Sequence, residues 1–308
     1  MKIERSEALD RNIRRDEGSA LTRSTWDGIR EAVRDGRVED ALAGLEYGCG
    51  EAKMMRDSAI KFADQVLTHH AKVAGEAEAY KALRARYELM VRHHEEESAL
   101  LASTWDGVRE AIRGRRVEDV FAGLESGCAK AKTMHDRATS FVDDALTHLA
   151  KVAGEEEVNK VLRARYEPTI RGWISTTPSV KESIERAVEF QRGHFGKTSM
   201  REESDRFVVT CDPCGSGGQL RRTKAGARTE KAHDWTWNKP DVPIYCTHCA
   251  IMWEILPMEI RGVPIRINLP PEKDSDPCVH LYYKSAEAIP EEYFKRVSRP
   301  RRLKMGSR

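Results

Sequence analysis

Residues 24–88 and 103–167 are one sequence written twice. The first copy reads STWDGIREAVRDGRVEDALAGLEYGCGEAKMMRDSAIKFADQVLTHHAKVAGEAEAYKALRARYE, and the second reads STWDGVREAIRGRRVEDVFAGLESGCAKAKTMHDRATSFVDDALTHLAKVAGEEEVNKVLRARYE. They are offset by 79 residues without a gap and are identical at roughly two-thirds of positions. Trp26 matches Trp105, Cys49 matches Cys128, His69 matches His148 and Tyr87 matches Tyr166. Both copies are bound to form the same unit, and two such units packed as pseudo-symmetric helical pairs bury stripes that neither buries alone.

Each copy reads as three or four helices. Ser24 or Thr25 can cap the first, with Trp26, Ile29 and Val33 on one face at helical spacing. Asp35-Gly36 ends it, as Gly114 does in the second copy. Val38, Leu42 and Leu45 carry the next stripe. A third helix is expected from about Glu51 to Val73, with Gly75 as C-cap, and GEAEAYKALRARYE closes the unit. His69, His148, Asp57, Asp136, Cys49 and Cys128 are candidates to line a pocket between the copies, although a recent duplication retains every residue, used or not. The two cysteines sit among Gly48, Gly50, Gly127 and Ala129 and read as small buried hydrophobes. Neither copy has the Glu-x-x-His pairs of a di-iron bundle.

The repeat stops at Pro168, and Trp173 through Pro178 read as a break. Ser179 then caps a helix, SVKESIERAVEFQRGHF, that joins the halves. The string Gly193-His-Phe-Gly196-Lys197-Thr198 imitates a phosphate loop but has two residues between its glycines instead of four, and no strand precedes it.

Lys plus Arg number 52 and Asp plus Glu 50, a net charge of +2, so no global field draws the chain to nucleic acid or membrane. No apolar run approaches the roughly 18 to 20 residues that span a bilayer. The N-terminus, MKIERSEALDRNIRRDEG, lacks the apolar region of a secretory signal. Seven cysteines, an odd number with four in tight pairs, fit a metal in a reducing compartment better than disulfides, which implies a cytoplasmic protein.

Those pairs are Cys211-Asp-Pro-Cys214, followed by Gly-Ser-Gly-Gly, and Cys246-Thr-His-Cys249. Two Cys-x-x-Cys pairs about thirty residues apart are the sequence form of a four-thiolate zinc site, because a tight turn lets thiolates three residues apart converge on one ion. Strand-like runs at FVVT, at QLRR, around PIYC, from Trp253 to Leu256, at VPIRINL and at CVHLYYK, bounded by prolines, suggest a mainly β module with each knuckle at a strand end. The arrangement resembles a zinc ribbon over about forty residues, and its wording is similar to that of poorly characterised bacterial proteins to which no activity attaches. The resemblance implies Zn2+ held by Cys211, Cys214, Cys246 and Cys249 in a closed, structural site. Cys278 or His248 replacing a pair member, with an open position, is the alternative; such a site activates water or polarises a carbonyl.

Strand alternation puts Cys278 and His280 on one face, a candidate nucleophile and base, with Tyr282 next. His233, Trp235 and Trp237 suit a ligand-stacking wall and equally a lid over the metal module. Arg221, Arg222, Lys224, Arg228 and Lys231, with a basic tail, are the residues a nucleic acid would use. The expected fold is α+β and multidomain: an N-terminal arm (1–19), helical repeats (20–98 and 99–167), a linker and connecting helix (168–205), a zinc-binding β domain (206–297) and a basic tail (298–308). The function expected is that of an enzyme or binding protein for a small metabolite, hydrolytic or lyase-type, with its site between the repeats and the zinc module. A zinc-ribbon nucleic-acid binder and a protein-interaction scaffold are the alternatives.

Overall fold

The computed structural model describes residues 1–302 except 8, 178, 224 and 225. Pro178 of the expected break, Lys224 of the basic segment and the tail beyond Arg302 therefore lie outside the described residues.

The N-terminal arm is an antiparallel hairpin, β1 (Ile3–Ser6) and β2 (Arg11–Arg14), followed by one turn of helix, α1 (Ser19–Thr22). Six helices follow: α2 (Thr25–Arg34), α3 (Val38–Ala74), α4 (Glu78–Arg113), α5 (Val117–Ala153), α6 (Glu155–Thr176) and α7 (Val180–Gly193). The C-terminal part contains β3 (Thr198–Glu202), β4 (Arg206–Cys211), α8 (Gly217–Arg222), α9 (His248–Ala250), α10 (Leu256–Arg261), β5 (Ile267–Leu269), β6 (Cys278–Tyr283) and α11 (Glu291–Lys295). Its strands form one antiparallel sheet in the order β3-β4-β6-β5. A long helical half followed by a small sheet is an α+β chain.

Helices α3 and α5 each run 37 residues and begin at equivalent positions of the two copies, Val38 and Val117. Gly75 and Gly154, at φ 72° and 95°, end them, a backbone region that costs glycine nothing. The repeat-related Trp26 and Trp105 stack on each other, ring centroids 5.3 Å apart. Cys49 and Cys128 pack against the cluster that contains this pair, and burial pushes each thiol up to about 12.

The helices are longer than the sequence suggests. The stripe at Val38–Leu45 and the helix expected from Glu51 are one element, because Gly48 sits under the Trp26 ring and is a packing position, not a break. The boundary expected at 98/99 falls inside α4, whose Glu- and Ala-rich middle favours helix. Helix α6 passes through Pro168 to Thr176, held down by the buried Ile170 and Trp173.

A Cβ on Gly127 would lie 2.3 Å from the Trp105 ring, whereas one on Gly50 would meet nothing within 4 Å. Gly127→Ala is therefore expected to destabilise by about 1–3 kcal/mol through overpacking. Gly50→Ala, in open helix, should stabilise by up to about 1 kcal/mol. Urea denaturation of both variants checks the pair, and the same sign for both would contradict this packing.

The segment expected as a linker is a core element. Ser179 caps α7 with a full capping box, as the sequence suggests. Its Glu185 and Glu189 then receive Arg15 and Arg11 from the hairpin, and Arg192 donates to Glu51 of α3 at 2.8 Å with both side chains almost wholly covered. The backbones of α7 and α3 touch at Gly193, where a Cβ would lie 2.6 Å from the Glu51 carbonyl oxygen.

The C-terminal part is less β-rich than expected. QLRR belongs to α8, and the stretch from Ile244 to Arg261 is helical throughout: a 3-10 turn (Ile244–Thr247), α9, a π-helical turn (Ile251–Ile255) and α10. Every residue from Ala250 to Met258 is buried, so the run carries no period by which to tell helix from strand. Pro257 stands just past the π-helical turn, at the start of α10. One hydrophobic core joins both halves, with Trp173 of α6 edge-on to Trp253 at 4.8 Å.

Candidate functional site

Three separate pieces of backbone bring the cysteines together. β4 and β6 pair in a register that sets Cys211 directly opposite Cys278 and Val209 opposite His280. Beyond β4 the chain turns back through Cys214 into α8, where glycine at 217 allows close approach: a Cβ there would lie 2.7 Å from Cys246 Sγ. Cys246 and Cys249, three apart on the helical stretch, share one face of it. The first pair thus stands at a strand end as expected. The second stands on helical turns, which differs from the two-hairpin geometry of a ribbon.

Cys214, Cys246, Cys249, Cys278, His248 and His280 form one wall of a cavity of about 490 Å³. Side chains of the helices complete the lining: Met55 and Phe62 of α3, Arg165 and Tyr166 of α6, the latter stacked on His248 at 5.8 Å, and Phe190 and His194 at the end of α7. Cys211 lies behind the wall, wholly buried, its Sγ 3.7 Å from His280 Nδ1. Cys249 Sγ is 3.6 Å from His248 Nε2, and Arg221 Nη1 donates to Cys278 Sγ at 3.8 Å.

All these cysteines are free thiols. Burial, and then the neighbouring cysteines, push Cys211 and Cys246 well above the ordinary thiol value. Burial and the charge of Cys214 push Cys278 up to about 12. Burial also acts to raise Cys249, but the charge and hydrogen bond of His248, with Arg266 behind, outweigh it and hold this thiol below its usual range. His248 is correspondingly raised: burial opposes the shift, and Cys249 overcomes it.

Among the described residues no three His, Cys, Asp or Glu side chains already surround a common point as a metal shell does. The chemistry of the donors nonetheless fits a soft or borderline cation. They are thiols and imidazoles, the ligands zinc takes, and buried thiols that hold one another protonated are relieved by a nearby positive charge.

Of the residues expected to contact a ligand, Trp237 lines the cavity and donates its Nε1 to Glu254 at 2.9 Å. His233 and Trp235 do not line it. His233 bonds Glu155 at 2.6 Å and stacks on Trp235 at 4.6 Å, pinning the 226–243 segment to the start of α6. The expectation of a ligand-stacking wall is corrected for these two, because carboxylates at the head of α6 take up their polar groups. Tyr282 is buried behind the cavity, its hydroxyl accepting from Arg266 at 3.2 Å.

Residues that sequence reasoning missed complete the site. Arg165 bonds the Ser58 hydroxyl at 2.7 Å and its carbonyl at 3.4 Å, and Arg266 bonds Asn268 and Tyr282; neither forms an ion pair among the described residues. The repeat gave no signal for Arg165, since its counterpart is also an arginine, Arg86, which is ion-paired to Asp144 on the surface. His194 belongs to the false phosphate loop, where the glycines drew attention from the histidine. By contrast, Arg221, Arg222 and Arg228 are held by Asp212, Asp241, Asp274 and nearby carbonyls, so these three present no open basic stripe.

No described helix is long and apolar enough to cross a membrane. Comparison with known proteins returns no matching family model, no similar curated protein and no similar solved structure.

Proposed function

We propose that this chain is a zinc-binding enzyme acting on a small metabolite that carries a carboxylate, by a hydrolytic or lyase-type reaction in the cavity between the helical repeats and the cysteine module. One observation carries the reading: a cavity of metabolite size is lined by thiols and imidazoles and by Arg165, which has no ion-pair partner among the described residues. Cys211, Cys214, Cys246 and Cys249 are the residues that would hold the ion; held by all four it would fix the module, and only with one of them outside the shell would it supply electrostatic stabilisation of developing negative charge. Cys278 and His280 are surplus to a four-ligand shell and remain as reactive groups beside it. Arg165, whose guanidinium offers a planar fork to a carboxylate, orients the substrate. The aromatic rings of Phe62, Tyr166 and Trp237 supply an apolar lining that excludes water.

Elemental analysis of protein purified without added metal, followed by X-ray absorption at the edge found, tests the metal part. One zinc per chain with fewer than four sulfurs places chemistry at the ion. Four sulfurs make it structural and leave the reaction to Cys278 and His280, and no metal overturns the reading. For the substrate class, a panel of small carboxylates is screened by thermal shift. At least one is expected to raise the melting temperature, and Arg165→Met should weaken its binding by roughly 10- to 100-fold, the loss of one charge-assisted hydrogen bond, with metal content unchanged. Equal binding by Arg165→Met would remove the arginine from the site.

A further inference from the structure

A chain of three side chains runs from the surface of α5 to the helical wall of the cavity. Asp136 Oδ2 takes an ion pair from Lys132, which also donates to Gln219 Oε1 at 2.7 Å. Asp136 Oδ1 lies 2.9 Å from Nδ1 of His135, and His135 Nε2 lies 2.6 Å from Nδ1 of His194. His135 has no exposure, whereas His194 lines the cavity. Hydrogen-bond logic sets the direction of this chain. A carboxylate only accepts, so His135 Nδ1 carries a hydrogen; in the neutral ring Nε2 is then the lone pair. The Thr139 hydroxyl lies 3.3 Å from His135 Nε2 and 2.9 Å from the His135 carbonyl, and its hydrogen goes to the nearer carbonyl. The remaining donor for His135 Nε2 is His194 Nδ1–H, which leaves the lone pair of His194 on Nε2. Among the described residues that nitrogen has no hydrogen-bond partner, and it is not sealed within the protein.

We propose that His194 is the proton acceptor of this cavity, with Asp136 acting through His135 as a positioning residue that keeps the His194 Nε2 lone pair directed to the bound molecule. The proposal rests on the reading of the cavity as a reaction site and supplies what that reading lacks, since hydrolytic and lyase-type reactions alike need a group to take a proton from water or substrate. When Nε2 of His194 gains a proton, its Nδ1–H can pass to His135 Nε2. The positive charge then rests on a ring already bonded to the Asp136 carboxylate, and no other atom changes hands. The arrangement is the carboxylate–imidazole orientation of acid–base sites extended by one ring. Neither the repeat nor the cysteine motif signals it, because Asp136 and His135 have Asp57 and Arg56 as counterparts and His194 lies outside the repeat.

The tautomers are read directly by long-range proton–nitrogen correlation NMR of the full-length protein as purified, with His194→Gln used to assign the ring. The expected wild-type result is His194 protonated at Nδ1 with a bare Nε2, and His135 likewise protonated at Nδ1. Asp136→Ala is expected to move a large part of the His194 signal to the Nε2-protonated form. Lys132→Met, which leaves the carboxylate in place, should not. A wild-type His194 protonated at Nε2, or one whose Nε2 carries the nitrogen shift of a metal ligand, overturns the proposal without any need for a folded variant. An unchanged His194 tautomer in folded Asp136→Ala removes the positioning role. A metal-free protein with the expected tautomers would sink the zinc reading while leaving this one standing, so the two fail separately.

Discussion

Protein carrying Cys246→Ser is expected to be purified without metal and to lose the cooperative folding of residues 198–302. Cys246 packs against the turn that brings the first pair into place, its Sγ 2.7 Å from where a Gly217 Cβ would stand. It is held protonated by burial and by Cys278 and Cys249, so its natural condition beside an ion is a thiolate whose charge the ion neutralises. Structural zinc contributes on the order of 10 kcal/mol to the folding of small cysteine modules, comparable to the whole stability of an ordinary domain. The shared core at Trp173 and Trp253 means that the loss will spread into α6. Zinc content, far-ultraviolet circular dichroism and the urea midpoint of the wild type, Cys246→Ser and chelator-treated wild type provide the check. Loss of metal should move the second and third samples together. A Cys246→Ser protein as stable as the wild type would remove the ion from the account of this fold.

The second large effect is expected at Glu254. Its carboxylate has no exposure and accepts four hydrogen bonds: from Trp237 Nε1, from Asn268 N and Nδ2, each at 2.9 Å, and from Arg296 Nη2 at 2.7 Å. These partners come from the segment before the second cysteine pair, from β5 and from the turn after α11. Asn268 also donates to the Cys249 carbonyl at 3.1 Å, so the carboxylate ties the helical stretch that bears Cys246 and Cys249 to the sheet that bears Cys278. Glu254→Ala would leave the Arg296 charge and three neutral donors without their acceptor. Removing one partner of a buried ion pair costs about 3–5 kcal/mol, and the stranded donors add to it. Equilibrium urea denaturation is expected to show a loss of at least this size, with Glu254→Gln intermediate because it keeps an acceptor oxygen. A loss below about 1 kcal/mol, the level of an exposed ion pair, would show that the junction is not held here.

Much of the local structure was legible. The glycines that end α3 and α5, the Ser179 capping box and the placement of the first cysteine pair at a strand end all follow from short-range chemistry. The second pair was not legible as helical. From Ala250 to Met258 the chain is buried on every side, and a run with no polar face offers no period to read. His233 and Trp235 looked like a ligand wall because aromatic and imidazole groups serve ligands and loop anchors equally well. Only the position of Glu155 and Glu156 distinguishes the two roles.

By itself the sequence determined that the first half would be two copies of one helical unit, and it placed five cysteines and three histidines in the C-terminal part without deciding which of them meet. Periodicity, caps and residue spacing are properties of neighbours along the chain. The tertiary structure decided which residues of each copy reach the cavity, so that Arg165 lines it while its counterpart Arg86 pairs with Asp144 at the surface. It also decided that His194, at the end of a helix read as a linker, meets His135 of the second repeat. Such meetings depend on how α3, α5, α6 and α7 pack around one core, and packing joins residues that share no local signal.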